Sequence, residues 1–203
     1  MDSKNNLPLV ELKINPKKKS FVNAIALVNQ PAIESDFICF SKTVKDFQFE
    51  NAERMETIGA AMIPNLEIFR RDAEGKEFNV FFSAETIREI SQVFMSSGFQ
   101  NNMNLNHGSE NANAIIFQSY IVDRPLGLFP PNNLKDLPDG TWIIGCKYSK
   151  NTWDKIKNGE FKGYSIQGMF EYFSMVLDNN DDEVFELLNH INTIINKNKK
   201  VKK

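Results

Sequence analysis

Residues 140–170 read "GTWIIGCKYSKNTWDKIKNGEFKGYSIQGMF", two apolar stretches separated by a polar, charged segment. The first stretch, residues 141–149, is rich in aromatic and β-branched side chains, which is typical of a strand. A short helix is predicted around Trp153 to Lys157, and a further strand around Ser165. The pattern therefore indicates a domain that mixes strands with helices and carries a serine in one of its apolar strands.

The chain before this stretch continues the mixed pattern. Further strands are predicted where short apolar segments lie between turn residues, at residues 8–14, 21–28, 37–40, 58–63, 66–69, 78–82 and 115–123. A helix is predicted from Ala84 to Met95, because Ser83 can cap it and apolar residues recur at helical spacing. We therefore expect a single α+β domain, mainly antiparallel, over residues 1–196.

The last part of the chain has a different composition. Residues 182–196 are predicted to form an amphipathic helix, because apolar residues from Val184 to Ile195 share one face. His190 lies on the polar side of that helix and is interpreted as a surface histidine. Residues 197–203 form a lysine-rich tail that we expect to be disordered.

Composition limits the classes of function. The 203 residues carry a net charge of −2, which gives no general attraction to nucleic acid or to an anionic membrane. No apolar run approaches the roughly 20 residues of a membrane span. With two histidines and two cysteines no zinc-ligand spacing can be assembled, so neither a metal nor a cofactor is predicted. Cys39 and Cys146 are interpreted as small buried hydrophobes, with a disulfide as the alternative.

Two residues are candidates for a catalytic role. Ser165 lies in a G-x-S-x-x-G segment between Gly163 and Gly168, which differs from the G-x-S-x-G elbow of α/β-hydrolases. It is either a nucleophile or an ordinary strand serine. In "NMNLNH" the alternation places His107 on the inner face of a strand with Met103 and Leu105, where it is either a general base or a strand-end histidine without catalytic function.

Several segments, taken in order, resemble the phage serine proteases of the XkdF type, relatives of tailed-phage prohead maturation proteases. They cover residues 20–173 and read "AIALVNQPAIESDFICFSK", "GAAMIPNLEIFRRD", "NVFFSAETIREISQVF", "NLNH", "QSYIVD" and "GTWIIGCKYSKNTWDKIKNGEFKGYSIQGMF". The resemblance implies a herpesvirus-protease-like fold, a small β-barrel with flanking helices. It also implies that Ser165 is the nucleophile and His107 the general base, on neighbouring strands. Gly163 and Gly168 would keep the backbone beside Ser165 open to a peptide.

The resemblance does not assign a third catalytic residue. Prohead proteases carry an acidic residue in a strand similar to "AIALVNQPA". Here that segment lies near the N-terminus rather than after the serine, as though the order of the segments were permuted. Ala24 occupies the matching position, with Asn23 beside it. Gln118 in "QSYIVD" stands where relatives have glutamate, and Glu171 follows the serine strand. The oxyanion donors are also unassigned. The resemblance implies Arg70 or Arg71 as a candidate, since related viral proteases use an arginine near the site, but a charged hairpin is the preferred interpretation of both.

The function that the resemblance implies is phage head maturation. The enzyme would be a prohead serine endopeptidase that cleaves scaffold protein, major capsid protein or both, in the host cytoplasm within the assembling prohead or virion. The alternative is a catalytically inactive structural or scaffold-binding phage protein, which Gln118 and Ala24 favour. A small-molecule binding barrel is a third interpretation. Dimerisation, as in herpesvirus relatives, is left open.

Overall fold

The computed structural model describes residues 7–15, 17, 20–30, 38–39, 54–71 and 75–174. They form eleven strands and two α-helices, in the chain order β1 (Leu9–Lys13), β2 (Val22–Val28), β3 (Ile38–Cys39), β4 (Glu56–Met62), β5 (Ile68–Arg71), β6 (Glu77–Phe81), α1 (Ala84–Ser96), β7 (Met103–Leu105), β8 (Ala114–Ile121), β9 (Trp142–Tyr148), α2 (Lys150–Lys157), β10 (Gly163–Gly168) and β11 (Glu171–Ser174). The strands predominate over the helices, so the predicted α+β class is confirmed.

The strands form three sheets, with the orders β11-β1-β6-β5, β10-β2-β7 and β3-β4-β9-β8. Six strand pairs are antiparallel and two, β1 with β6 and β2 with β7, are parallel. The mainly antiparallel arrangement is therefore confirmed. The predicted closed barrel is wrong for the part of the chain that the structure describes. The register of β10 against β2 shifts at Gln167 and Gly168, after which the chain continues into β11, which pairs with β1 in a different sheet.

The core is formed by the helix α1 and the inner faces of the sheets. Ile87, Ile90 and Phe94 of α1 are fully buried, and the Phe94 ring packs edge-on against Trp142 of β9, with ring centroids 5.5 Å apart. Ser83 caps α1 as predicted. Helix α2 begins at Lys150, three residues before the predicted start. The reason is a second serine cap, in which the Oγ of Ser149 accepts the Thr152 N–H.

Some predictions concern residues that the structure does not describe. The helix at 182–196 with His190 and the tail at 197–203 lie outside the described residues, and the single domain over 1–196 remains a prediction. Cys146 is a free, fully buried thiol, as its interpretation as a small hydrophobe requires. Neither α1 nor α2 has the length and apolar character needed to cross a membrane.

Candidate active site

Strand β2 is the centre of the sheet that carries Ser165. It pairs antiparallel with β10 on one side and parallel with β7 on the other, so that Ala26 lies between Ser165 and Asn104 in register. Side chains alternate across a strand, and Tyr164 faces the core, where it is 1% exposed. Ser165 therefore faces the opposite, outer side of the sheet, where it is half-buried.

His107 reaches this outer face through a turn. Strand β7 ends at Leu105, and both Asn106 and His107 adopt left-handed backbone conformations, with φ of 50° and 58°. The turn is held from both ends, because the Asn106 N–H donates to the Leu27 carbonyl (2.9 Å) and the Gly108 N–H donates to the Leu105 carbonyl (2.8 Å). His107 is exposed rather than directed inward with Leu105. The prediction from alternation is wrong here, because the strand ends before the histidine.

The serine and the histidine are in hydrogen-bonding contact. The His107 Nε2 lies 2.9 Å from the Ser165 Oγ. When the imidazole is neutral and carries its proton on Nδ1, Nε2 accepts the serine hydroxyl, which is the arrangement required of a general base. The two residues are not on neighbouring strands, since β2 separates β10 from β7. The turn after β7 brings the His107 imidazole across that separation to Ser165.

A pocket of about 430 Å³ adjoins the pair. Its walls come from the end of β2, with Val28, Asn29 and Gln30, and from Asn106 and Arg70. The side-chain amides and the guanidinium carry N–H donors, and they line the same pocket as Ser165.

The structure separates Arg70 from Arg71, which sequence reasoning treated alike. Arg70 and Arg71 are consecutive in strand β5, so their side chains point to opposite faces. Arg71 pairs with Glu77 across the β5–β6 hairpin, as the charged-hairpin interpretation predicts. Arg70 lines the pocket with Ser165 instead. The strand alternation was a usable signal for separating the two arginines, but the sequence does not show which face meets the other sheet.

Among the described residues, none of the three candidates for a third catalytic residue is hydrogen-bonded to the His107 ring. Gln118 is in β8 and folds over Gly145 of β9, where a Cβ would lie 2.5 Å from its Oε1. Glu171 is opposite Lys13 in the sheet of β11 and β1, and its side chain is outside what the structure describes. Asn23 is exposed at the start of β2, and its carbonyl accepts the Asn102 side-chain N–H. Among the described residues, Ser165 is the hydrogen-bond partner of the His107 ring.

An amide bridge that sequence reasoning missed spans β2 beside the pair. The Asn104 Nδ2 donates to the Gln167 Oε1 (2.7 Å), linking β7 to β10, whereas the Asn104 Oδ1 is buried without a partner among the described residues. Ala24 and Ala26 are almost fully buried, opposite Gln167 and Ser165 in register. Small side chains at these two positions leave room for the hydrogen bond between Asn104 and Gln167 to cross β2. The alternating alanines of "AIA", residues 24–26, were therefore the sequence signal for this bridge.

Gly168 has a packing role rather than the substrate-facing role expected for it. A Cβ at Gly168 would lie 2.5 Å from the Phe21 carbonyl oxygen and 2.8 Å from the Val22 Cα. The backbones approach this closely at the register shift where β10 leaves β2. Gly163, at the other end of the strand, is buried.

Comparison with known proteins assigns the chain to a family. Residues 43–174 match the family described as "Putative phage serine protease XkdF", and the chain belongs to that family. It is similar to the "Phage-like element PBSX protein XkdF" of Bacillus subtilis (strain 168), with 22% identity over 162 residues, covering 75% of this chain and 54% of the relative.

A second relative is the "Uncharacterized protein YqbD" of the same organism. The identity is 25% over 132 residues, covering 65% of this chain and 37% of the relative. The chain thus spans about half the length, or less, of these curated relatives. No solved structure matches the chain.

Proposed function

We propose that this chain is a serine endopeptidase in which Ser165 is the nucleophile and His107 the general base. The observation that carries the proposal is the 2.9 Å contact between the His107 Nε2 and the Ser165 Oγ, at the edge of a pocket that can receive a substrate. Membership of a family described as phage serine proteases supports the same reaction class.

The reaction follows from the positions of the two groups. The Ser165 Oγ attacks the peptide carbonyl carbon while its proton moves to the His107 Nε2. The imidazolium then returns that proton to the leaving amine, which gives an acyl-enzyme on Ser165. A water molecule that loses its proton to the same nitrogen hydrolyses the ester and restores Ser165. In this proposal, N–H donors among the pocket side chains stabilise the oxygen that becomes negative in each step.

The biological role in the proposal is phage head maturation. The substrates would be scaffold protein, major capsid protein or both, cleaved in the host cytoplasm within the assembling prohead or virion. The phage family and the phage-like element named in one relative support this setting. The proposal includes a permuted relation to herpesvirus-type proteases, which the order of the sequence motifs supports, and homodimerisation as an open alternative to a monomer.

A second candidate function is an inactive structural or scaffold-binding phage protein with the same fold. The observation that favours it is the His107 ring, which has no carboxylate or amide partner in the described part of the chain. A histidine without such a partner is oriented by its backbone turn alone, and its imidazolium has less stabilisation than in a full triad.

Two experiments test the proposal. The purified chain is treated with an alkyl fluorophosphonate, and the modified residue is identified by mass spectrometry. We expect modification at Ser165, slowed about 10²–10⁴-fold by His107→Ala because general-base assistance is lost. In parallel, wild type and Ser165→Ala are co-expressed with the scaffold and capsid proteins of the same phage, with shortened products expected for wild type only.

The outcomes separate the two candidates. Reaction at Ser165 together with shortened phage proteins establishes the endopeptidase. Unchanged masses of both phage proteins with wild type, and no adduct on Ser165, establish the inactive structural protein. Ser165→Thr keeps a hydroxyl on a β-branched side chain and serves as the matched control for packing at this position.

A further inference from the structure

The amide bridge between Asn104 and Gln167 joins the two strands that carry the proposed catalytic pair. Asn104 is the central residue of β7, the strand that leads into the His107 turn. Gln167 lies two residues after Ser165 in β10, and residues two apart in a strand share a face. The 2.7 Å hydrogen bond from the Asn104 Nδ2 to the Gln167 Oε1 therefore crosses β2 on the face of the pair.

The bridge meets β10 at the place where the backbone pairing of that strand changes. The register of β10 against β2 shifts between Gln167 and Gly168. Backbone pairing is disrupted at such a shift, so a side-chain hydrogen bond at Gln167 holds β10 along the sheet where the ladder is interrupted. If β10 moved along β2, it would carry Ser165 away from the His107 turn.

The Asn104 side chain is only partly satisfied. Its Nδ2 donates to Gln167, but its Oδ1 is buried without a partner among the described residues. A buried acceptor without a partner costs free energy, and an apolar pair of similar size avoids that cost. The neighbouring Ala24 and Ala26 of β2 are apolar and almost fully buried, so they would accept apolar neighbours. A polar bridge at this place therefore indicates a requirement other than stability.

We infer that Asn104 and Gln167 are positioning residues for the proposed peptidase, because their hydrogen bond sets the place of Ser165 relative to His107. They act through the pair and take no part in making or breaking bonds. A displacement of about 1 Å can slow a reaction about 10²-fold, so a single bond between the two strands can govern the rate. The inference rests on the proposed peptidase function and adds two residues to its machinery.

The test replaces both amides by apolar side chains, in the double variant Asn104→Leu/Gln167→Met. We expect its free energy of unfolding to stay close to that of wild type, because the unpartnered acceptor is removed together with the bridge. Labelling of Ser165 by the alkyl fluorophosphonate should slow about tenfold. In a His107→Ala background the same double substitution should leave the labelling rate unchanged, since the serine there has no base to lose. Urea unfolding and mass spectrometry measure these quantities.

Two further variants separate the hydrogen bond from other effects of substitution. Gln167→Glu keeps an acceptor on a side chain of the same length, so it should keep most of the wild-type rate, whereas Gln167→Met should not. Asn102→Ala is the matched control for the loss of an amide bond to this sheet. The Asn102 Nδ2 donates to the Asn23 carbonyl at the start of β2 and makes no link to β10, so we expect this variant to label at the wild-type rate.

Each outcome decides the inference. A wild-type labelling rate in the double variant, or equal slowing with and without His107, overturns the positioning role and leaves the peptidase in place. Slowing by Gln167→Glu or Asn102→Ala as large as that in the double variant also overturns it, because the bridge is then not the cause.

The wild type separates this inference from the function on which it rests. No adduct on Ser165 in wild type overturns the peptidase and the positioning role together. If the double variant does not fold, Gln167→Met at its exposed position carries the same comparison, and a wild-type labelling rate there overturns the inference.

Discussion

At the scale of single residues, the site depends on the backbone conformation of two consecutive positions. Asn106 and His107 both have positive φ, and this turns the imidazole from the core face of β7 to the face of Ser165. Asparagine adopts this conformation more readily than other non-glycine residues, whereas a β-branched residue is strongly disfavoured in it. Asn106 therefore positions His107 as well as lining the pocket.

We expect Asn106→Gly to keep the turn and to react with a fluorophosphonate at Ser165 faster than Asn106→Val does, although it removes one side-chain N–H donor from the pocket. Asn106→Val should lower the free energy of unfolding by about 1–2 kcal/mol and reduce the reaction rate more than tenfold, because the strained turn no longer presents the imidazole. The measurements are urea unfolding and single-turnover labelling of Ser165.

The matched control is Asn113→Val. Asn113 also has a positive φ, 47°, but it is not part of the pocket lining. The same substitution there should cost similar stability and leave the labelling rate unchanged. Equal labelling rates for Asn106→Val and wild type would show that the turn does not orient His107.

The sequence identified both members of the pair but not the reason they meet. The residue types, the apolar strand around Ser165 and the ordered resemblance were sufficient to select Ser165 and His107. The position of His107 depends on where β7 ends and on two left-handed residues, and a strand of three residues gives too short a pattern to show its end. Arg70 could not be distinguished from Arg71, and Asn104 was missed, because the positions of both depend on contacts between strands far apart in the sequence.

At the scale of secondary-structure elements, β10 is fixed by a hydroxyl network on its core face. The Thr57 Oγ1 of β4 lies 2.5 Å from the Tyr164 hydroxyl and 2.7 Å from the Tyr148 hydroxyl of β9. All three side chains are almost completely buried. Because β4 and β10 belong to different sheets, this network holds the serine strand against the core from the side opposite the pocket.

We expect Tyr164→Phe to lower the free energy of unfolding by about 1–3 kcal/mol, since the buried Thr57 and Tyr148 hydroxyls lose a partner. It should also slow the labelling of Ser165 up to about tenfold, because β10 loses its link to β4. Tyr148→Phe is the control, since it removes a hydroxyl of the same network from a strand that carries no proposed catalytic residue. If the two variants label equally fast, the network stabilises the core without positioning the serine.

The strands themselves were largely predictable, and their arrangement was not. Apolar alternation and turn residues located β1, β2, β8 and β9, and Ser83 marked the start of α1. The parallel pairing of β2 with β7 brings together segments about 78 residues apart in register, as for Ile25 and Met103. No local propensity encodes such a pairing, so the three-sheet arrangement required the structure.

At the scale of the whole molecule, buried ionisable groups tie stability to alkaline pH. Burial raises the pKa of the Cys146 thiol to about 12, and burial also raises the pKa values of Tyr148 and Tyr164 well above the usual value. In the unfolded chain these groups lose their protons at lower pH than in the folded protein. Deprotonation therefore favours the unfolded state, and stability is lost as pH rises.

We expect the free energy of unfolding to be insensitive to these groups at neutral pH and to fall progressively from about pH 9 upward, where the unfolded thiol begins to ionise. Cys146→Ala should remove the early part of that fall, leaving the later part due to the tyrosines. Urea unfolding at a series of pH values from 7 to 11 measures this. A stability that is constant or rises over that range in wild type would contradict the burial of these groups.

β2, the His107 turn and β10 are synthesised in that order, and this order determines when the proposed catalytic pair can form. Residues 22–28 and 107 are synthesised before the strand that carries Ser165, which begins at Gly163 and pairs with β2. A nascent chain that ends before β10 contains His107 but not Ser165. Under the proposed function, the catalytic pair therefore forms only after β10 has been synthesised and has paired with β2.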